Sequence, residues 1–153
     1  MSIRNTLGDF NSILCFKAVI TGVEDTLGSD GAAVVFTRAG RVRGSSVARE
    51  MGLSGKNIPL SEIAETLNGA LGKDGTRLCA VKSVREAGNT IEVETVETVC
   101  SAGEALGSDR NCTFTLGVIW GALEEVTGQS FEAKHTASVL RGAESDLFVF
   151  NKR

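Results

Sequence analysis

The stretch from Cys112 to Phe150 constrains this chain more than any other, because its hydrophobic period changes from helical to extended within a few residues. Leu116, Ile119, Trp120, Leu123 and Val126 recur at the spacing that lines one face of a helix, and Gly128 follows as a natural stop. Phe131, Ala133, His135, Ala137 and Val139 then alternate with Glu132, Lys134, Thr136 and Ser138, the pattern of a half-buried strand. Turn residues fill Arg141 to Ser145, after which Asp146, Phe148 and Phe150 alternate with Leu147 and Val149. A helix, a strand and a second strand follow one another here with short connections.

Upstream, Asp9 or Ser12 can cap a helix that runs to Leu27 with Ile13, Phe16, Ile20, Val23 and Leu27 on its apolar stripe. Gly28-Ser29-Asp30-Gly31 reads as a break, and a second helix spans Ala32 to Met51. That helix holds Gly40 and Gly44, each of which costs about 1 kcal/mol relative to alanine in a helix interior. Close packing against another helix, within the subunit or across a dimer, has to compensate. Pro59 suits the first turn of a third helix, with Leu60, Ile63, Ala64, Leu67 and Leu71 facing inward and Gly72 ending it. Strands are predicted over residues 77–86 and 90–98 around a turn at Ala87-Gly88-Asn89, and Cys100 to Asn111 reads as a loop. The order α-α-α-β-β-α-β-β predicts an α+β architecture: N-terminal helices, then β-β-α-β-β, with an antiparallel sheet covered by helices on one face.

At 153 residues the chain is read as a single domain over residues 9–150 with a core large enough to need no staple. A net charge of −3 gives it no global attraction to nucleic acid. No apolar run reaches the length of a membrane span, and the N-terminus lacks the order of a signal peptide, so the chain is placed in the cytoplasm. There a reducing environment favours free thiols over a disulfide framework for Cys15, Cys79, Cys100 and Cys112, which show no C-x-x-C pair.

None of the common phosphate-loop, dinucleotide, nucleophile-elbow or zinc-protease patterns is present, and the single histidine removes multi-histidine metal sites. No catalytic residue and no metal site are assigned. His135, on the inward face of its strand, has the chemistry to ligate a metal or move a proton, but the plainer reading is a core histidine satisfied by hydrogen bonds. Trp120 can stack on a flat ligand, although a tryptophan on an apolar stripe serves packing first. Cys79 and Cys112 read as small hydrophobes, and Arg38, Arg41, Arg43 and Arg49 as a solvated helix face.

Cys112, Gly117 and Gly121 on the motif helix, with Gly142 and Phe148 beyond it, resemble the pattern of the 4-vinyl reductase-like family of small-ligand-binding domains. That family shares its fold with subunits of the Golgi transport particle and, more distantly, with haem-containing nitric-oxide sensors. Where the family usually has later cysteines, this chain has Ser138 and Asp146, which argues against a thiol-based metal site. The resemblance implies a homodimer-prone domain with an internal apolar pocket, and some relatives are associated with bacteriochlorophyll synthesis or photosystem assembly.

The first functional expectation is therefore a non-enzymatic carrier or sensor for a small apolar molecule, a tetrapyrrole or a hydrocarbon chain, with Trp120, Leu123, His135, Phe148 and Phe150 around the ligand. Haem itself is not expected, because the histidine sits on a strand while the sensors ligate from a helix. An assembly module with a filled core, engaging a protein partner, ranks second. An enzyme reducing a pigment vinyl group ranks third.

Overall fold

The computed structural model describes residues 2–153. A long helix, α1 (Ile13–Glu50), opens the regular structure, with the Ser12 hydroxyl accepting from the Leu14 amide at 3.2 Å as its cap. The expected break is present but one residue wide: Gly28 takes φ 72° and ψ 169°, a combination essentially confined to glycine, and Ser29 to Gly31 are already helical. The two predicted helices are thus one kinked helix.

Helix α2 (Leu60–Leu71) follows Pro59 and buries Ile63, Leu67 and Leu71. Strands β1 (Ala80–Ala87) and β2 (Thr90–Val96) form a hairpin about Gly88-Asn89. Helix α3 (Thr113–Thr127) precedes β3 (Phe131–Ala137), a 3-10 turn at Val139–Arg141, and β4 (Asp146–Lys152). The four strands are antiparallel in the order β1-β2-β4-β3, which makes the sequence-final strand a central one. The predicted α+β class and antiparallel sheet are what the structure shows.

Register decides what meets in the core. Phe148 on β4 lies between Val93 of β2 and His135 of β3, and Phe150 lies between Ile91 and Ala133. Alternation then turns Asp146 to the same inner face, opposite Thr95. Ile91, Val93, Phe148 and Phe150 are buried, whereas Glu132, Lys134 and Thr136 on the other face of β3 are exposed.

The glycines of α1 find their compensation inside the subunit. A Cβ on Gly40 would come within 2.9 Å of the Val118 amide nitrogen, and one on Gly44 within 2.8 Å of the Val118 carbonyl carbon. The approach is mutual, since a Cβ on Gly117 would sit 3.0 Å from the Arg41 nitrogen and one on Gly121 would sit 2.8 Å from the Arg41 carbonyl carbon. Two glycine pairs, four residues apart on each helix, therefore let α1 and α3 touch backbone to backbone, and the Ser45 hydroxyl donates to the Gly121 carbonyl at 3.2 Å. The other compensation left open by the sequence, a dimer contact, is not what these glycines serve. No helix among the described residues is long and apolar enough to cross a membrane.

Candidate functional site

Two places in the molecule gather chemistry-bearing side chains. The first is the inner end of β4. Asp146 is fully buried, and its carboxylate is surrounded by donors: Oδ1 accepts from Ser138 Oγ at 2.7 Å, His135 Nε2 at 3.1 Å and the Val139 amide at 3.3 Å, while Oδ2 accepts from Ser101 Oγ at 2.6 Å. Burial alone would raise its pKa; hydrogen bonds from His135, Ser101, Ser138 and Thr98 outweigh burial and bring it to about 2. The His135 ring accepts the Cys112 amide proton on Nδ1 at 3.2 Å, which leaves Nε2 as the protonated nitrogen facing Asp146. Its plane stacks on Phe148 at 4.6 Å between centroids. The favoured reading of His135, a core histidine with its polar atoms satisfied, describes this arrangement.

The four-free-thiol expectation fails here. Cys100 and Cys112 form a disulfide that closes the loop between β2 and α3, their Cα atoms 5.6 Å apart. Folding brings the two ends of that loop together, and a pair at this Cα separation lies in the range a disulfide spans. Cys15 and Cys79 are free. Burial, and then the charge of Asp146, push the Cys79 thiol up to about 12, so it stays protonated and unreactive near neutrality. Cys112, His135 and Asp146 place potential metal-ligating atoms within 4.8 Å of one another. The donor set is nonetheless compromised for a metal: the sulfur is locked in the disulfide, and both imidazole nitrogens have hydrogen-bond partners.

Asp146 is the residue that sequence reasoning passed over. The signal was there, since the alternation that points Phe148 and Phe150 inward also points Asp146 inward, and His135 is inward on the neighbouring strand β3. An acid and an imidazole facing one core are expected to pair.

The second place is a cavity of about 880 Å³ between the segment before α1, the body of α1, the connection from α2 to β1, and the start of α3. Phe16, Val19, Leu78, Val99, Phe114 and Val118 supply apolar walls. Phe16 and Phe114 meet edge to face at 5.2 Å within this wall. Asp9, Phe10, Arg43 and Arg77 stand among its polar and outer lining, and Cys15 reaches it from the first turn of α1. The disulfide is next to this wall in the chain, because Val99 precedes Cys100 and Phe114 follows Cys112 closely.

None of the five residues assigned to the ligand from sequence lines this cavity. Leu123, Phe148 and Phe150 are fully buried together in the core cluster. The void beside Leu123 is about 10 Å³, no more than roughly one water's worth of probe-occupied space. Trp120 sits at the seam of α1 and α3 with the Arg41 guanidinium 4.2 Å from its ring centre, and its indole N–H donates to Glu124 at 2.9 Å. With Ala33, Val34, Thr37, Arg38 and Val42 it borders a separate outer groove of about 570 Å³. The structure brings the phenylalanines and Leu123 together, sets His135 beside Asp146, and packs Trp120, partly buried, at the margin of the same core.

No family model matches the chain, and no curated protein matches it. Among solved structures it is similar to the phenol-responsive sensory domain of the transcription activator PoxR, crystallised with phenol. That match has a TM-score of 0.70 at 14% identity and covers 95% of this chain and 77% of that one. It is also similar to trafficking protein particle complex subunit 3 from Naegleria fowleri, covalently bound to palmitic acid, with a TM-score of 0.53 at 14% identity, covering 95% of this chain and 84% of that one. At such identities the likeness is one of fold, and that fold is the one the sequence resemblance implied.

Proposed function

We propose that residues 9–150 are one binding domain, a carrier or sensor for a small apolar molecule, and that the 880 Å³ cavity is where the molecule sits. The cavity's apolar wall carries this reading, because a space of that size falls within the roughly 300–1,000 Å³ of ordinary small-molecule sites. Two proteins of this fold whose structures hold phenol and palmitic acid lend it support. A hydrocarbon-like ligand fits better than a tetrapyrrole: the apolar part of the lining is aliphatic and phenylalanine side chains, and the single imidazole is already committed to Asp146 and the Cys112 amide. The test is saturable binding of an uncharged environment-sensitive dye to the native protein. Val19→Trp, placed on the rim of the cavity, should weaken that binding at least tenfold while the circular dichroism spectrum is kept. Dye binding that is absent, or that Val19→Trp leaves untouched, would defeat the reading.

A second reading has its own observation. Val34 and Val42 are exposed on α1 and line the outer groove at Trp120, and exposed apolar surface of this kind suits a polypeptide partner or a second copy. Sedimentation velocity over a hundredfold range of concentration tests the second copy, which predicts a shift from monomer to dimer abolished by Val34→Glu with Val42→Glu.

A further inference from the structure

We infer that the cavity takes an amphiphile with an apolar body and a single anionic head, and that Arg77 is the residue that reads the head. The inference rests on the binding reading above and deepens it. Three charged side chains line the cavity, and two of them have their charge answered locally. Asp9 accepts from the amides of Ile3 (3.0 and 2.9 Å) and Arg4 (2.9 Å) and from the Ser2 hydroxyl at 3.3 Å. Those backbone bonds, with the nearby Arg4 charge, hold its carboxyl below the usual range. Arg43 pairs with Glu50 at 2.9 Å. Arg77 pairs with no carboxylate among the described residues.

Its backbone is placed at a cost. Arg77 has φ 56°, a left-handed conformation that a non-glycine residue adopts only when its surroundings enforce it. The enforcement is visible in the connection from α2 to β1, where the Thr76 amide bonds to the Ala70 carbonyl at 2.8 Å, Arg77 to Gly72 at 3.1 Å and Leu78 to Leu71 at 2.8 Å. Those bonds fold the chain back on the end of α2 and set Arg77 and Leu78 against the cavity. Nε of Arg77 donates to the Lys73 carbonyl at 3.1 Å, which fixes the plane of the guanidinium and leaves both terminal nitrogens without an acceptor among the described residues. One face of that plane lies over the Phe10 ring, 4.3 Å from its centre, so the cation also holds the N-terminal segment against the mouth. A guanidinium held by Nε, backed by an aromatic ring and bordering an apolar space presents the two parallel donors that a carboxylate accepts.

The experiment compares decanoate, decanol and decylammonium at pH 8, below their micellar concentrations, as competitors for an uncharged dye in the cavity. Decanoate is expected to bind at least tenfold more tightly than decanol, and decylammonium more weakly than either. In Arg77→Gln the decanoate-to-decanol ratio should fall close to one; in Arg77→Lys part of the preference should return; Arg85→Gln, on the far hairpin, should keep the wild-type ratio. Equal affinities of decanoate and decanol in the wild type would overturn the head-group proposal while leaving the apolar cavity intact, and that comparison needs no variant to fold. A preference that survives Arg77→Gln would overturn the assignment to Arg77. Failure of all three competitors to bind would instead remove the cavity reading beneath it.

Discussion

The inner end of β4 and the cavity beside α1 are both built from residues far apart in sequence, yet they end in opposite states. At Asp146 every oxygen has donors, the histidine has a partner on each nitrogen, and a disulfide ties the neighbouring loop. At the cavity the walls are mainly apolar and, among the described residues, the terminal nitrogens of one guanidinium have no acceptor. The difference separates structure from recognition. A buried charge that is fully hydrogen-bonded fixes a core and has no capacity left for a ligand, whereas a rim charge without a partner is available to one.

The comparison is broken most severely at Asp146. Asp146→Ala strands Ser101, Ser138 and His135 without their shared acceptor, and the loss of one partner of a buried polar network costs about 3–5 kcal/mol. Chemical denaturation of the variant should show that loss in the midpoint. Acid should reproduce part of it. A carboxyl whose folded pKa is about 2, against the usual 3.8 of an aspartate, binds protons less readily when folded, so its stabilisation is complete above the unfolded pKa and fades as pH falls from roughly 4 toward 2. The corresponding contribution is about 2 kcal/mol, and Asp146→Asn should flatten this acid limb of the stability curve. An unchanged limb would mean that another carboxylate governs acid unfolding.

The disulfide comes next. Reducing Cys100–Cys112 with a dithiol, or replacing both by serine, releases a loop 12 residues long in sequence separation and should cost about 3 kcal/mol by the loop-entropy argument. The effect should extend to the cavity, because Val99 and Phe114 flank the two half-cystines and line its wall. Native hydrogen exchange would then show faster opening of 98–114 and weaker dye binding, with α2 unaffected. Exchange that quickens uniformly would place the role of the bond in the unfolded chain alone.

Much of the scaffold was legible because periodicity reports which face of an element is dry. The hairpin at Gly88-Asn89, helix α2 after Pro59, and the inward alternation of Phe131, Phe148 and Phe150 all follow from that signal. The requirement that Gly40 and Gly44 meet another helix was legible too; that the partner is α3 was not, since glycines on one helix do not name the glycines on the other. The position of Trp120, partly buried against the core, has a related reason. Helix α3 packs against α1 through Gly117 and Gly121 and also buries Ile119, Leu123 and Val126, so its buried face is wide and Trp120 falls at the margin. The disulfide left no trace in spacing, and the compartment argument pointed the other way. The cavity was invisible because Val19, Val47, Leu78 and Phe114 converge only in three dimensions.

The smallest expected effect on stability sharpens the comparison furthest. Val19 lies on the cavity wall and is 54% exposed, so Val19→Ala should change unfolding free energy by less than about 0.5 kcal/mol. Leu123→Ala, in the filled core where only about 10 Å³ is free, should cost about 2–5 kcal/mol. Ligand binding should rank the two positions in reverse. Removing two methyl groups from the wall changes the shape a guest meets, so decanoate affinity should shift severalfold in Val19→Ala, while a folded population of Leu123→Ala should bind as the wild type does. Denaturant titration and competition with the dye, run on the same two samples, check both rankings at once. If Leu123→Ala perturbs binding more than Val19→Ala, the ligand enters the core between α3 and the sheet, and recognition and structure share one site after all.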